Sequence, residues 1–212
     1  MKKLILAAFL LLHIGVNAQN ETQTLFNGGR LKSWGLIVSP GLQTTQILNE
    51  QAVFGQFKAG LVLNESWTIG GLVGATLYEI YPTTIQAQFN VPTDFSFYTY
   101  GGFVEYRVRP NRLLHVAFPL AIGVYETDMD DRDFGGPDFD NSYGDDYRMF
   151  IEPGINLELN LHKYARLYAG VSYRAMGGPI YRDAQVPVPG SQFLVNAGLK
   201  FGVFNMASLK KK

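Results

Sequence analysis

From Trp34 onward the chain alternates apolar residues with polar or small ones, position by position, in eight segments of about ten residues. In the first segment Trp34, Leu36, Val38, Pro40 and Leu42 share one face, and Gly35, Ile37, Ser39, Gly41 and Gln43 share the other. A period of two places successive side chains on opposite sides of a strand, whereas a helix would need apolar residues three and four apart. That second spacing is nearly absent. The split recurs with Phe57, Ala59 and Leu61 against Gln56, Lys58 and Gly60, then with Ile69 and Val73 against Thr68, Gly70 and Gly74. Tyr100, Val104 and Tyr106 oppose Thr99, Gly101, Glu105 and Arg107, and Val116, Phe118 and Leu120 oppose His115, Ala117 and Ala121. Ile155, Leu157 and Leu159 oppose Glu152, Asn156, Glu158 and Asn160; Leu167, Val171 and Tyr173 oppose Arg166, Gly170, Ser172 and Arg174; Val195, Leu199 and Phe201 oppose Asn196, Gly198 and Lys200. Each segment has the length a tilted strand needs to cross the hydrocarbon of a bilayer.

The connections alternate in length. Short turns fall at Asn64–Ser66, Arg109–Arg112 and His162–Tyr164, and long polar loops are expected at Thr44–Gln51, Glu79–Asp94, Glu126–Asp146 and Met176–Ser191. A membrane barrel segregates short turns and long loops to opposite ends, and a soluble sandwich has no reason to do so.

The first residues read as an address. Lys2 and Lys3 precede an apolar run from Leu4 to Leu12, too short to span a bilayer as a helix, and Val16-Asn17-Ala18 offers a cleavage site. A signal peptide over residues 1–18 is therefore expected, then a polar lead-in over 19–32, a barrel over 33–204 and a short tail over 205–212. Of the 18 Lys and Arg, 16 remain after the signal, against 18 Asp and Glu. So balanced a charge argues against nucleic acid as a partner, since phosphate binding needs a basic excess. The absence of Cys excludes a disulfide framework, a thiolate zinc site and an acylated N-terminal cysteine.

Alternation alone does not say which face points outward, and a lipocalin-like soluble barrel is the rival architecture. Two observations favour lipid on the apolar side. The polar face is rich in Gly and carries few charges per strand, which suits a narrow lumen better than a solvated surface. Aromatic residues gather towards strand ends at Trp34, Trp67, Tyr98, Tyr173 and Phe193, as in interfacial girdles. Three prolines fall inside strands. Pro40-Gly41 and Pro153-Gly154 predict bulges, and a bulge is also the expectation at Pro119, which has no Gly beside it.

With these features the chain resembles the small OmpA/OmpX-type outer-membrane barrels, and more narrowly the uncharacterised small barrels common in Bacteroidota. The residues carrying the likeness are Ser66-Trp67-Thr68-Ile69-Gly70-Gly71, the run from Glu152 to Asn160, Gly170-Val171-Ser172-Tyr173-Arg174 and the closing strand, over a span from about Trp34 to Phe204. The resemblance implies an all-β, eight-stranded, antiparallel up-and-down transmembrane barrel in the outer membrane of a Gram-negative cell, with both termini periplasmic. It also implies contact with outer-membrane lipid and lipopolysaccharide. In such proteins the insertion machinery reads the last strand, and Asn196, Gly198, Phe201 and Val203 match its spacing, although this chain continues to Lys212 instead of ending on an aromatic.

Chemistry-bearing groups are few. Lys58, Glu105, Arg107, Arg148, Glu152, Glu158, Arg166, Arg174 and Lys200 are assigned to the lumen. Two readings of them stay open: an ion-pair network that fills the barrel, and a narrow anion-preferring channel suggested by six bases against three acids. A lipid-modifying enzyme would need Ser, His and an acid together on the lipid face, which carries none of them; His115, the single strand histidine, is a lumen hydrogen-bonding residue. No catalytic, cofactor or metal residue is assigned. The loop Glu126–Asp146 holds nine acids against Arg132, and Asp128, Asp130 and Asp131 loosely match a calcium loop whose third ligand position is taken by Arg132. A solvated loop is expected there, with weak divalent-cation or cationic-partner binding as the alternative. The expected role is structural or surface recognition through long external loops, without catalysis; the alternatives are the channel, the enzyme and the soluble periplasmic barrel.

Overall fold

The alternating segments pair edge to edge until the first meets the last. A computed structural model describes residues 31, 33–47, 49–80, 93–131, 145–182 and 190–207. Its strands are β1 (Ser33–Ile47), β2 (Glu50–Leu63), β3 (Trp67–Thr76), β4 (Thr93–Val108), β5 (Leu114–Asp131), β6 (Asp145–His162), β7 (Ala165–Arg182) and β8 (Gln192–Ala207). Every neighbouring pair is antiparallel and β1 pairs with β8, giving a closed barrel in sequence order with no free edge. The expected signal peptide lies outside the described residues, as does the lead-in apart from Leu31 and all but the first few residues of the tail.

The apolar residues face out. Leu36, Ile69, Ile122, Leu157 and Val171 are half exposed on the outer surface, while Arg107, Glu158 and Arg174 between them are wholly buried inside. A soluble protein could not leave a continuous apolar band on its outside, because this inverts the normal burial of hydrophobic side chains. Aromatic residues flank the band. Trp67 packs on Tyr106 with ring centroids 4.8 Å apart near one end, and Tyr173 packs on Phe193 at 4.7 Å towards the other.

Three connections at one end are short: Asn64–Ser66, Arg109–Leu113 and Lys163–Tyr164. Asn64 and Glu65 both adopt positive φ (50° and 61°), the backbone that matches the twist of a tight hairpin. At the opposite end, the rim, the structure corrects the expected loop Thr44–Gln51. Strands β1 and β2 run to Ile47 and from Glu50, which pair with each other, so only residues 48 and 49 connect them, with Asn49 at φ 69°. Strand pairing likewise takes in Glu126–Asp131, Asp145–Asp146 and Met176–Arg182, where loops are expected from the sequence. Above the hydrocarbon a strand keeps its ladder while its outward residues no longer need to be apolar, so alternation fades before pairing ends.

Pro40, Pro119 and Pro153 do not make the expected bulges. Register is the same on either side of Pro40 against β8 (Val38 with Phe201, Gly41 with Gly198) and on either side of Pro119 against β6 (Ala117 with Asn156, Leu120 with Pro153). Pro153 likewise leaves the β6–β7 register unchanged between Ile151 and Gly154. Each missing donor is absorbed as a local gap in one ladder, because the neighbouring rungs of a closed barrel hold the strand in line. Gly154 makes room for Pro119: a Cβ there would lie 3.2 Å from Cγ of the proline. Register shifts occur instead at Trp34/Leu36 in β1 and at three places between β6 and β7.

Candidate functional site

The lumen is occupied by side chains in three tiers. Nearest the short turns, Lys200 on β8 donates from Nζ to both oxygens of Glu105 on β4 (2.5 and 2.6 Å) and to Oε1 of Glu158 on β6. His115 on β5 places Nε2 3.1 Å from Oε2 of Glu158 and Nδ1 3.2 Å from the Arg112 carbonyl. Arg107 on β4 donates to Thr68, and the Arg166 guanidinium stacks 3.8 Å above the Phe204 ring.

The middle tier centres on Glu152. It accepts from Gln43 Nε2 (2.9 Å) and Ser172 Oγ (2.8 Å) through Oε1, and from Arg174 Nε (2.8 Å) through Oε2. Gln43 also donates to Asn196 Oδ1 (3.0 Å) and accepts from Gln56 (3.2 Å) and from Arg174 Nη2 (2.9 Å). Five strands meet in this one network. It satisfies the carboxylate and much of the guanidinium, which is the condition for keeping an ion pair away from water. Between the tiers, the Lys58 ammonium sits 5.7 Å from the centre of the Phe103 ring.

Towards the rim the lumen turns apolar. Phe54, Phe95, Phe97, Tyr125 and Phe150 form a cluster with Ile47, Leu72 and Ile80, all buried. Phe97 lies 6.1 Å from Phe95, 5.5 Å from Tyr125 and 6.4 Å from Phe54 between ring centres. The Arg174 guanidinium closes the underside at 5.2–5.5 Å from Phe150, Phe54 and Tyr125, a cation held against three aromatic faces. One Arg therefore fastens the aromatic cap to the polar tier.

Of the nine charges assigned to the lumen, the structure brings seven into the two networks and sets Lys58 between them. Arg148 departs, pairing with Asp146 at 3.3 Å near the rim. His115 is a lumen hydrogen-bonding residue as expected, and its partners are a carbonyl and a carboxylate. The aromatic cap is absent from the sequence reading. Its signal is present, since Phe54 shares parity with Gln56, Phe97 with Thr99 and Phe150 with Glu152, yet an inward aromatic interrupts a polar face and blurs the alternation there. Of the calcium-like run, Asp128 to Asp131 is extended strand, with Asp128 opposite Ser96 and Asp131 opposite Thr93, where a calcium loop needs a turn. Residues 132–144 of the acidic stretch lie outside the described residues. Among the described residues there is no group of three metal-ligating side chains.

Neither a protein-family model nor a curated protein sequence matches the chain. Solved structures do. The Neisserial surface protein A superposes with a TM-score of 0.56 at 13% identity, covering 79% of this chain and 96% of that one. A major outer membrane protein from Thermus thermophilus superposes at 0.55 with 10% identity, covering 79% and 98%. At these identities the likeness concerns fold, and the chain has the fold of the small eight-stranded outer-membrane β-barrels.

Proposed function

We propose that this protein resides in the outer membrane, reaches it by means of a cleaved signal peptide over residues 1–18, and serves there as a closed barrel with a structural or surface-recognition role. The observation that carries the reading is the filled lumen. Two polar tiers and an aromatic cap occupy it, which supports a barrel that acts through its rim and its outer wall. The apolar outer band supports outer-membrane lipid and lipopolysaccharide as its solvent, and Asn196, Gly198, Phe201 and Val203 on β8 support engagement of the insertion machinery. Catalysis is not part of the proposal: His115, the strand histidine, is buried in the lumen between the Arg112 carbonyl and the Glu158 carboxylate, with no hydroxyl among its hydrogen-bond partners in the described residues.

A narrow anion-preferring conduit is the second reading, favoured by the excess of base along the lumen. The experiment that separates them is reconstitution in planar bilayers. A closed barrel gives no stable conductance; reproducible anion-selective steps would put the conduit first.

A further inference from the structure

The tier nearest the short turns has more donors than acceptors. Glu105 gives both oxygens to Lys200, and Glu158 divides its two between Lys200 and His115. Arg107 and Arg166 approach these carboxylates only to 3.8 Å, beyond hydrogen-bond reach. Arg107 spends Nη2 on Thr68; its Nε and Nη1, and Nη1 of Arg166, have no hydrogen-bond acceptor among the described residues, although the two side chains are 0% and 5% exposed. Lys200, Arg107 and Arg166 thus crowd around Glu105 and Glu158, with Glu65 the further carboxylate within electrostatic reach of Arg166. Buried guanidinium groups without acceptors are costly, and an anion from outside the chain is a chemistry that supplies acceptors to such donors.

Access exists from the short-turn end. A cleft of about 570 Å³ opens there, with Arg166 and Phe204 in its wall and Asn111, His162, Lys163 and Tyr164 around it. The Phe204 ring fixes the plane of the Arg166 guanidinium, and the Lys163 ammonium sits 4.8 Å over the Tyr164 ring. Glu65, the carboxylate among the cleft-lining residues, is engaged by the Asn205 amide.

We propose that this cleft binds a small oxyanion, a carboxylate or phosphate group, between Arg166 at its inner end and Lys163 at its mouth. With Nη1 turned towards Glu158, the other edge of the Arg166 guanidinium offers a planar pair of N–H donors that matches two oxygens, the ammonium adds a mobile point charge, and Arg107 adds to the positive field from behind the cleft wall. The site lies at the end of the barrel opposite the rim, so it stands or falls independently of surface recognition.

The test uses the full chain in lipid-free nonionic micelles, with thermal unfolding read as loss of the compact gel form. Inorganic phosphate should raise the midpoint by a few degrees and saturate, while sodium chloride at matched ionic strength should not. Arg166→Gln should abolish the phosphate effect. Lys163→Gln, in an exposed turn where folding is not at stake, should weaken the apparent phosphate affinity about three-fold, the worth of one exposed charge contact. Equal stabilisation by both salts, or an unchanged phosphate response in Lys163→Gln, overturns the proposal. Nanodiscs of phosphatidylglycerol distinguish the sources. If the headgroup fills the cleft, added phosphate gives no further shift there, and if the anion is soluble the shift persists.

Discussion

Arg174 on β7 donates from Nε to Oε2 of Glu152 on β6 at 2.8 Å while its guanidinium plane lies beneath Phe54, Tyr125 and Phe150. One side chain thereby joins the polar tier to the aromatic cap. Arg174→Ala leaves the carboxylate buried without its ion-pair partner, with Lys58 the remaining cation nearby, and should cost about 3–5 kcal/mol. The double variant Arg174→Met/Glu152→Met removes both charges and should regain more than half of that loss. Urea titration of the folded barrel in vesicles measures both. A single variant as stable as the parent would show that the pair does not hold the tiers together.

Leu157 and Glu158 are neighbours on β6 that face different media. Leu157 is 50% exposed on the outer wall and Glu158 wholly enclosed. Leu157→Arg should cost about 2–4 kcal/mol if the outer wall meets hydrocarbon, and the visible result is failed insertion. Because a buried leucine in a soluble barrel would also suffer, the deciding measurement is a spin label. At 157 it should be relaxed by oxygen dissolved in the bilayer, and at 158 it should be shielded. A label at 157 that bilayer oxygen does not reach contradicts the membrane assignment.

These two residues also mark how far the sequence could be read. Their opposite faces, and those of the other strands, follow from parity alone, because a closed barrel obliges every rung to alternate. The lumen charges were legible for the same reason. What parity could not give was which of them meet. Lys200 lies 95 residues from Glu105, and Gln43 lies 109 from Glu152; such pairings depend on the stagger of the strands around the barrel, which no local pattern carries. Arg148 has the correct parity and misses the network because it stands too near the rim. Pairing reaches into the expected loop Thr44–Gln51, where Thr44, Thr45 and Gln46 are polar on both faces, a composition that a turn and a strand beyond the hydrocarbon share.

The two ends of the barrel should be distinguishable on living cells. Gln51 lies at the rim and Asn111 in a short turn at the other end, both exposed. With the short turns in the periplasm, Gln51→Cys should react with a membrane-impermeant thiol reagent on intact cells, and Asn111→Cys only after the outer membrane is opened. Equal labelling of both in intact cells would remove the assigned orientation.

Gly123 on β5 and Gly101 on β4 face each other across the ladder, inside the wall. A Cβ on Gly123 would lie 2.0 Å from the Tyr100 carbonyl oxygen, whereas one on Gly178 would meet nothing within 4 Å. Gly123→Ala should therefore destabilise by about 1–3 kcal/mol as the backbone shifts, and Gly178→Ala should be close to neutral. Unfolding midpoints of the two variants in the same lipid provide the comparison. Similar values would mean that the strands are not held as closely as the register implies.

The two-residue link between β1 and β2 makes the rim lopsided. Strands β5, β6 and β7 have 18 residues each, against 15 and 14 for β1 and β2. At about 3.3 Å per residue and a tilt near 40°, the extra three or four residues amount to roughly 8–10 Å of height. Among the described residues the barrel wall thus has a parapet along one arc and a lower stretch beside it. Of the described strands, β5–β7 stand farthest out from the hydrocarbon, and the wall around the cap is lowest beside the β1–β2 link.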